Sequence, residues 1–306
     1  MMSVVIPVRN RAGLIGRCLD SVKAQTWRPI RVIVVDNGST DDTKHVVTDW
    51  ITRNEEENFQ MTLVEEARPG AAVARNRGLQ EVKTEYMLFF DSDDVMHPDL
   101  VETAMREFID YPVLDIVHWR IEVLFPFGKK QLTKFTVTDE WRYHIYHSLF
   151  ATQCYAVKTV FFRNAGAWNE DLYCWDDWEL GMRLLLSNPL MKGIDRVLAT
   201  VYHQSDSITG DNFSSKAGEW ERAIDATERY VESSGYKDAD WLVDMINYRR
   251  AILAAYYKRE KRPDLADPLL RKALSHRTLS LPRKWLLKLL YHYTALGGRG
   301  AYLLWK

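Results

Sequence analysis

A chain of 306 residues can bury one large core or two modest ones, and its formal net charge of −1 gives no reason to expect a nucleic-acid partner. With 46% hydrophobic and 27% charged residues it has the composition of an ordinary soluble enzyme. Its three cysteines, Cys18, Cys154 and Cys174, are widely spaced and match no zinc pattern, which excludes a disulfide scaffold and points to a reducing compartment.

Met1-Met2-Ser3 leads straight into the apolar run Val4-Val5-Ile6, with no basic leader and no cleavage site, so a secreted precursor is not expected. Val4 to Val8 reads as a buried parallel strand, and Leu14, Ile15, Cys18, Leu19 and Val22 share one helical face. Val32 to Val35 is a second buried strand ending in Asp36. The turn residues Asn37-Gly38-Ser39-Thr40 and a helix start at Asp41 and Asp42 follow. Met61 to Val64 is a third strand, Arg68-Pro69-Gly70 a loop and Ala71 to Leu79 a helix. Met87 to Phe90 is a fourth strand that runs into Asp91-Ser92-Asp93-Asp94, and His97-Pro98 opens the next helix. Four strands thus end in polar clusters on one side of a sheet, the edge at which open α/β sheets hold ligands.

The stretch from ~115 to ~210 is less regular, with short strands at Ile116–Val123, Tyr155–Phe161 and Val197–Val201 and a helix from Asp176. Beyond Phe213 only helical patterns remain, which places a boundary there. No apolar stretch reaches the ~18–20 residues of a membrane span. The expected location is the cytoplasm, free or peripheral at the inner face of the membrane.

The acidic cluster carries the most specific chemistry. Asp91, Asp93 and Asp94 at a strand end repel one another unless a cation intervenes, and carboxylates with open positions suit Mn²⁺ or Mg²⁺ shared with substrate phosphates. Read alone, Asp-Ser-Asp-Asp is as well explained as a turn and a helix cap.

The motif does not stand alone. Val4 to Asn10, Val34 to Thr43, Pro69 to Gly78 and Phe89 to Asp94 agree in order and spacing with family 2 glycosyltransferases, which the chain resembles over residues 3 to 94 and more loosely through Ala165 to Glu170 and Trp175 to Leu180. The resemblance implies an α/β, GT-A (Rossmann-like) fold with a mostly parallel central sheet flanked by helices. The expected domains are 1–210, catalytic (1–110 for the nucleotide sugar, 111–210 for the acceptor side and base), and 211–306, an all-helical extension. It further implies a nucleotide-sugar donor, UDP-linked as a class, an inverting and non-processive transfer, and a saccharide or lipid-linked acceptor.

Carried over position by position, the resemblance gives Pro7, Val8 and Asn10 to the loop beside the nucleotide base and Asp36 to the base edge. Gly70 and Arg75 flank the base and diphosphate, Asp91 meets the ribose, Asp93 the metal and Asp94 the donor sugar. Asp36 also suits a cap on the next helix. Asp177, in Asp176-Asp177-Trp178-Glu179, matches the catalytic base, although two carboxylates there also satisfy a helix N-terminus. His203 matches a position that meets the metal or diphosphate in some relatives, or is a structural histidine. Glu179 and Arg183 read as a helix-face ion pair, while Trp168, Trp175 and Trp178 serve core packing or an acceptor platform.

The Gln-x-x-Arg-Trp motif of processive synthases is missing, as are P-loop, zincin and esterase motifs. The rival readings are a sugar nucleotidyltransferase, for which Val8 to Gly13 makes a poor phosphate loop, and a non-catalytic nucleotide-sugar-binding protein, for which a base is superfluous. From Tyr256 onward 12 Lys and Arg face 3 Asp and Glu, a local charge of about +9. There Pro282 to Tyr291 pairs basic residues with a Trp/Leu face, suited either to an anionic membrane surface or to packing on the rest of the protein.

Overall fold

The computed structural model describes residues 1–135, 138–203 and 212–305. By residue contacts the chain forms two units. Unit 1 comprises Met1–Glu140, Leu149–Tyr173 and Ser187–Gln204, and unit 2 comprises Trp141–Ser148, Cys174–Leu186 and Ser205–Lys306. The expected boundary at 210/211 lies outside the described residues. Two segments from within 1–210 nevertheless group with the helices of unit 2, because Ile145, Trp178 and Met182 bury their side chains in that unit's core.

Unit 1 is built on a sheet of nine strands. Its first half alternates β1 (Met2–Val8), α1 (Ile15–Lys23), β2 (Ile30–Asp36), α2 (Thr43–Asn54), β3 (Phe59–Glu65), α3 (Ala71–Glu81) and β4 (Tyr86–Phe89). All four strands are parallel, in the order β3-β2-β1-β4. The apolar runs of β1, β2 and β4 bury on both faces, as strands covered by helices on either side must, while the edge strand β3 is only partly covered. Helix α1 turns the face predicted from its periodicity, Ile15, Cys18, Leu19 and Val22, into the core. Helix α3 lies so close to the sheet that a Cβ on Gly78 would meet Val5 Cγ1 at 2.4 Å. Only glycine permits that approach, and it fixes the height of Arg75 one turn earlier.

The second half adds β5 (Val95–Met96), α4 (Leu100–Asp110), β6 (Ile116–Leu124), β7 (Lys130–Leu132), β8 (Tyr155–Lys158), α6 (Thr159–Asn164) and β9 (Met191–Tyr202), with α5 (Glu140–His147) and α7 (Asp176–Leu186) lying between in sequence. The sheet continues β4-β8-β6-β9-β5, with β7 on β6. Strand β8 is antiparallel to both neighbours while β6 and β9 run parallel, so the second half of the sheet is mixed. Two boundaries differ from expectation. Helix α4 begins at Leu100, not at Pro98, since Leu100 and Val101 are the first residues of its buried face. The run Tyr155–Phe161 breaks after Lys158 into a helix, which leaves Val160 exposed and Phe162 in the core.

Unit 2 holds most of α5, α7, and α8 (Ala217–Ser233), α9 (Ala239–Arg259), α10 (Pro263–Ser275) and α11 (Leu281–Ala295), the all-helical region read from the sequence. Helix α9 is buried around most of its circumference, as a central helix must be. Arg250 on α9 is held in the interior by Asp225 and Glu228 of α8, each at 2.8 Å.

Candidate active site

The parallel register puts the carboxyl ends of β1, β2 and β3 on one edge, with Val8 opposite Asp36 and Asp36 opposite Glu65. Pro7 and Val8 close β1, and the Val8 carbonyl accepts from Asn37 N at 2.8 Å. Asn10 follows in the left-handed region (φ 52°), where its short amide reaches across the edge. Its Oδ1 accepts from Thr40 N at 2.8 Å, and its own N–H donates to Ser39 Oγ at 3.0 Å.

Asp36 is buried. Its Oδ2 accepts from Ser39 N at 3.1 Å, an N–H inside the turn that precedes α2, so part of the capping alternative is realised. Its Oδ1 is buried and accepts no hydrogen bond among the described residues. A buried acceptor left unpaired costs about 1–3 kcal/mol until a donor reaches it. Asn37 ties the next loop down, donating to the carbonyls of Glu66 and Arg68 and accepting from Gly70 N at 2.9 Å. Gly70 has φ 136°, a conformation L residues rarely adopt, and it sits at the start of α3.

Arg75 on α3 is buried, donates from Nη2 to Asp91 Oδ1 at 2.9 Å and stacks 4.4 Å from the Trp168 ring centre. Past β4 the three aspartates separate in role. Asp91 Oδ2 accepts from Gln153 Nε2 at 2.7 Å. Asp94 is enclosed, with Oδ1 accepting from Tyr202 N at 3.0 Å and Oδ2 from the same Gln153 amide. Burial first, then the charges of Asp91 and Asp93, hold the Asp94 carboxyl well above the usual carboxylate range. Asp93, like Asp91, is partly exposed; it lies 3.5 Å from Arg11 Nε, and its carbonyl accepts from Arg17, whose guanidinium lies 3.6 Å over the Tyr202 ring.

A divalent cation fits the chemistry of this donor set. Asp93 presents hard carboxylate oxygens at the rim, and magnesium-type sites need only one or two such carboxylates beside substrate phosphates. A complete cage is not built, since no group of three or more His, Cys, Asp or Glu positioned for a metal occurs among the described residues. His203 ends β9, donating its N–H to the Leu124 carbonyl, and its ring packs 5.1 Å from that of Phe125.

Asp177 lies in unit 2, in the first turn of α7. Its Oδ1 accepts from Trp178 N at 2.8 Å, the capping geometry that the sequence left open beside catalysis. Trp175, just before the helix, has φ 54°, and the Arg249 guanidinium of α9 is 4.0 Å from its ring centre and 4.4 Å from that of Trp178. Burial draws Arg249 down to about 9 and the Asp177 charge opposes this, so Arg249 stays cationic at neutral pH. Glu179 and Arg183 form the expected pair at 2.8 Å, buried inside the unit. Trp168 and Trp178 are core residues of their own units, whereas Trp175 is only partly buried.

Sequence reasoning missed Gln153, Arg11, Arg17 and Arg249. Gln153 and Arg249 come from segments with no readable motif, and their roles arise only from tertiary packing.

A parallel half-sheet with acidic and basic side chains at its strand ends, continued by a mixed half, is the layout of GT-A glycosyltransferases. The chain belongs to glycosyl transferase family 2, whose family model matches residues 3–170. Among curated relatives, glycosyltransferase GlyA of Streptococcus pneumoniae is 33% identical over 110 residues, covering 36% of this chain and 15% of GlyA. The chain spans only 15%, 29% and 35% of the lengths of three such relatives. Among solved structures, residues 1–349 of S. aureus TarS in complex with UDP-GlcNAc match at TM-score 0.69 and 16% identity, over 98% of this chain and 89% of that one. Mannosyltransferase PcManGT from Pyrobaculum calidifontis, in complex with GDP-Man and Mn²⁺, matches at TM-score 0.59 and 20% identity, over 99% of this chain and 82% of that one. At these identities the structural matches establish the fold.

Proposed function

We propose that the protein transfers a sugar from a nucleoside-diphosphate donor, UDP-linked, to an acceptor hydroxyl, with inversion and without processive extension. The observation that carries this reading is the strand edge of unit 1. There one buried carboxylate oxygen, Asp36 Oδ1, awaits a donor, an Arg75–Asp91 pair stands beside it, and Asp93 remains at the rim. In this reading Pro7, Val8 and Asn10 border the base, Asp36 accepts from the N–H of a uracil edge, and Gly70 lets the backbone approach. Arg75 supplies positive charge, Asp91 the ribose contact and Asp94 the floor under the donor sugar.

Asp93, with His203 as the second candidate, would hold Mn²⁺ or Mg²⁺, which when bound offsets charge on the diphosphate leaving group. The Mn²⁺ of the mannosyltransferase complex supports that assignment by analogy. Asp177 accepts the acceptor hydroxyl's proton as the oxygen attacks the anomeric carbon opposite the nucleotide. Two features favour its anionic form: the first turn of α7 and the nearby Arg249 charge. A single displacement of this kind inverts the anomeric centre.

The role is assembly of a surface polysaccharide or glycoconjugate, carried out at the inner face of the membrane. No helix among the described residues is long and apolar enough to cross a membrane. Helix α11, however, turns Leu281, Trp285 and Leu289 outward while Leu287, Leu290 and Tyr291 pack into unit 2. Its outer face is therefore apolar with flanking lysines, not merely basic, which supports contact with an anionic lipid surface.

The test is nucleoside diphosphate release from a panel of donors with Mn²⁺, together with calorimetric UDP binding. Asp177→Asn is expected to lower kcat by about 10³-fold or more while leaving the UDP Kd within about twofold. Asp93→Asn is expected to weaken UDP binding only when the metal is present. Wild-type protein that binds no UDP and releases none from any donor ends the proposal.

A further inference from the structure

Unit 2 contains a cavity of about 540 Å³ that the reading above does not use. Its volume lies within the range of small-molecule sites, and two kinds of side chain dominate its wall. Trp175, Tyr256 and Tyr302 are among the aromatic residues facing it, and Arg249, Arg259 and Arg299 supply three guanidinium groups. No Asp or Glu is among its lining residues.

The three arginines are held differently. Arg249 is fixed between the Trp175 and Trp178 rings and donates one Nη to the Ile145 carbonyl, yet its buried Nε has no hydrogen-bond partner among the described residues. Arg259 and Arg299 are exposed and make no ion pair among the described residues. Elsewhere in this unit Arg250, Arg262 and Arg283 all have carboxylate partners. Three guanidiniums on a wall that carries no carboxylate favour an occupant that brings negative charge. The flat aromatic faces suit the apolar face of a pyranose ring.

We propose that this cavity binds an anionic saccharide, a sugar phosphate or a uronate, and that this saccharide is part of the acceptor. The acceptor role rests on the transfer reading given above; the binding site does not. Guanidinium forks bind phosphate and carboxylate oxygens in pairs, and the aromatic wall orients the ring that carries them. Asp177 lies in the same unit, near enough to Arg249 for its charge to act on that group.

The experiment is calorimetry on the full chain with glucose, glucose 6-phosphate, glucuronate and inorganic phosphate, run with saturating UDP and Mn²⁺ so that the donor edge is occupied, and again without them. Wild-type protein should bind glucose 6-phosphate or glucuronate at least about tenfold more tightly than glucose, and sugar phosphate more tightly than inorganic phosphate. Comparing glucose 6-phosphate with glucuronate separates phosphate from carboxylate as the anion. The exposed pair Arg259→Gln/Arg299→Gln should erase the preference, and Arg249→Gln should weaken it, with UDP affinity unchanged in both. Equal affinity for glucose and both anionic sugars, or a preference that survives the double substitution, overturns the site. If anionic sugars bind as expected and UDP never does, the site stands and its acceptor role falls with the transfer reading.

Discussion

Arg75 Nη2 donates to Asp91 Oδ1 at 2.9 Å, and the same guanidinium stacks on Trp168. The contact joins α3 to the end of β4 and sets a cation against three clustered carboxylates. Arg75→Gln keeps a donor but removes the charge, leaving Asp91, Asp93 and Asp94 to repel one another and a diphosphate. UDP affinity should fall at least about tenfold and stability by about 1–3 kcal/mol, measured by calorimetry and urea denaturation. Unchanged UDP affinity removes Arg75 from the donor site.

This edge was legible because its parts terminate short apolar strands. A buried run ending in Asp36 or Asp91 can only deliver that carboxylate to the rim, and the parallel order aligns the rims. Gln153, which bridges Asp91 and Asp94, was not legible. It precedes β8, whose antiparallel insertion beside β4 follows from no local pattern. Nor was the grouping of Asp177 with the helical unit, which depends on Trp178 packing among residues far along the chain. Periodicity also misplaced the start of α4 and merged β8 with α6, because a proline or an apolar run marks a neighbourhood and not a boundary.

A second expectation concerns Gly181 on α7. A Cβ there would lie 2.1 Å from His144 Cε1, and that ring has nowhere to go: it is fully buried, and its Nε2 donates to the Trp178 carbonyl at 2.8 Å. Gly181→Ala should destabilise unit 2 by about 1–3 kcal/mol even though alanine favours helix. His144→Ala makes room, so the double variant should be more stable than the two single losses add up to. Strict additivity in thermal denaturation refutes the clash.

Acid should unfold the protein through two buried imidazoles. Burial lowers His118 to about 4 and His144 to about 3, whereas the unfolded chain binds these protons near 6.5. Above that value neither state binds them and stability does not change. Below it the unfolded state gains protons that the folded state refuses. Each histidine then costs about 1.4 kcal/mol per pH unit until its folded value is reached. Melting temperature should be flat from pH 8 to 7 and fall steadily from 6 to 5, and His118→Gln should flatten part of the fall. Because the raised Asp94 carboxyl acts in the opposite sense, the deciding comparison is between variants, and a pH dependence of Tm identical in His118→Gln and wild type contradicts the burial.

Arg250 should be the most sensitive charge in the helical unit. It is 1% exposed and is held by Glu228, Asp225 and Asn247. Arg250→Met preserves much of the volume but takes the buried guanidinium from Glu228 and leaves Asp225 with Lys272 alone. The expected loss is about 3–5 kcal/mol, the cost of breaking a buried pair by removing one partner. Adding Glu228→Met to that variant should recover part of it. A single variant as stable as wild type in urea shows that the network contributes nothing.

The outer face of α11 gives the remaining prediction. Leu281, Trp285 and Leu289 are 74%, 67% and 64% exposed, and their spacing of four residues lines them along one stripe that Leu296 extends. Lys288 lies 5.2 Å from the Trp285 ring centre, so cationic and apolar groups occupy the same surface. Water alone gives no reason to keep such a stripe uncovered, whereas an anionic bilayer satisfies both components, the side chains entering the headgroup layer and the lysines meeting lipid phosphates. Vesicles containing anionic phosphatidylglycerol should co-sediment the protein, those of phosphatidylcholine alone much less, and added salt should weaken the association. Trp285→Ser/Leu289→Ser should abolish binding without lowering the melting temperature, since neither side chain is in the core. Equal partitioning of wild type and double variant would show that the stripe meets something other than lipid, with a protein partner the next candidate.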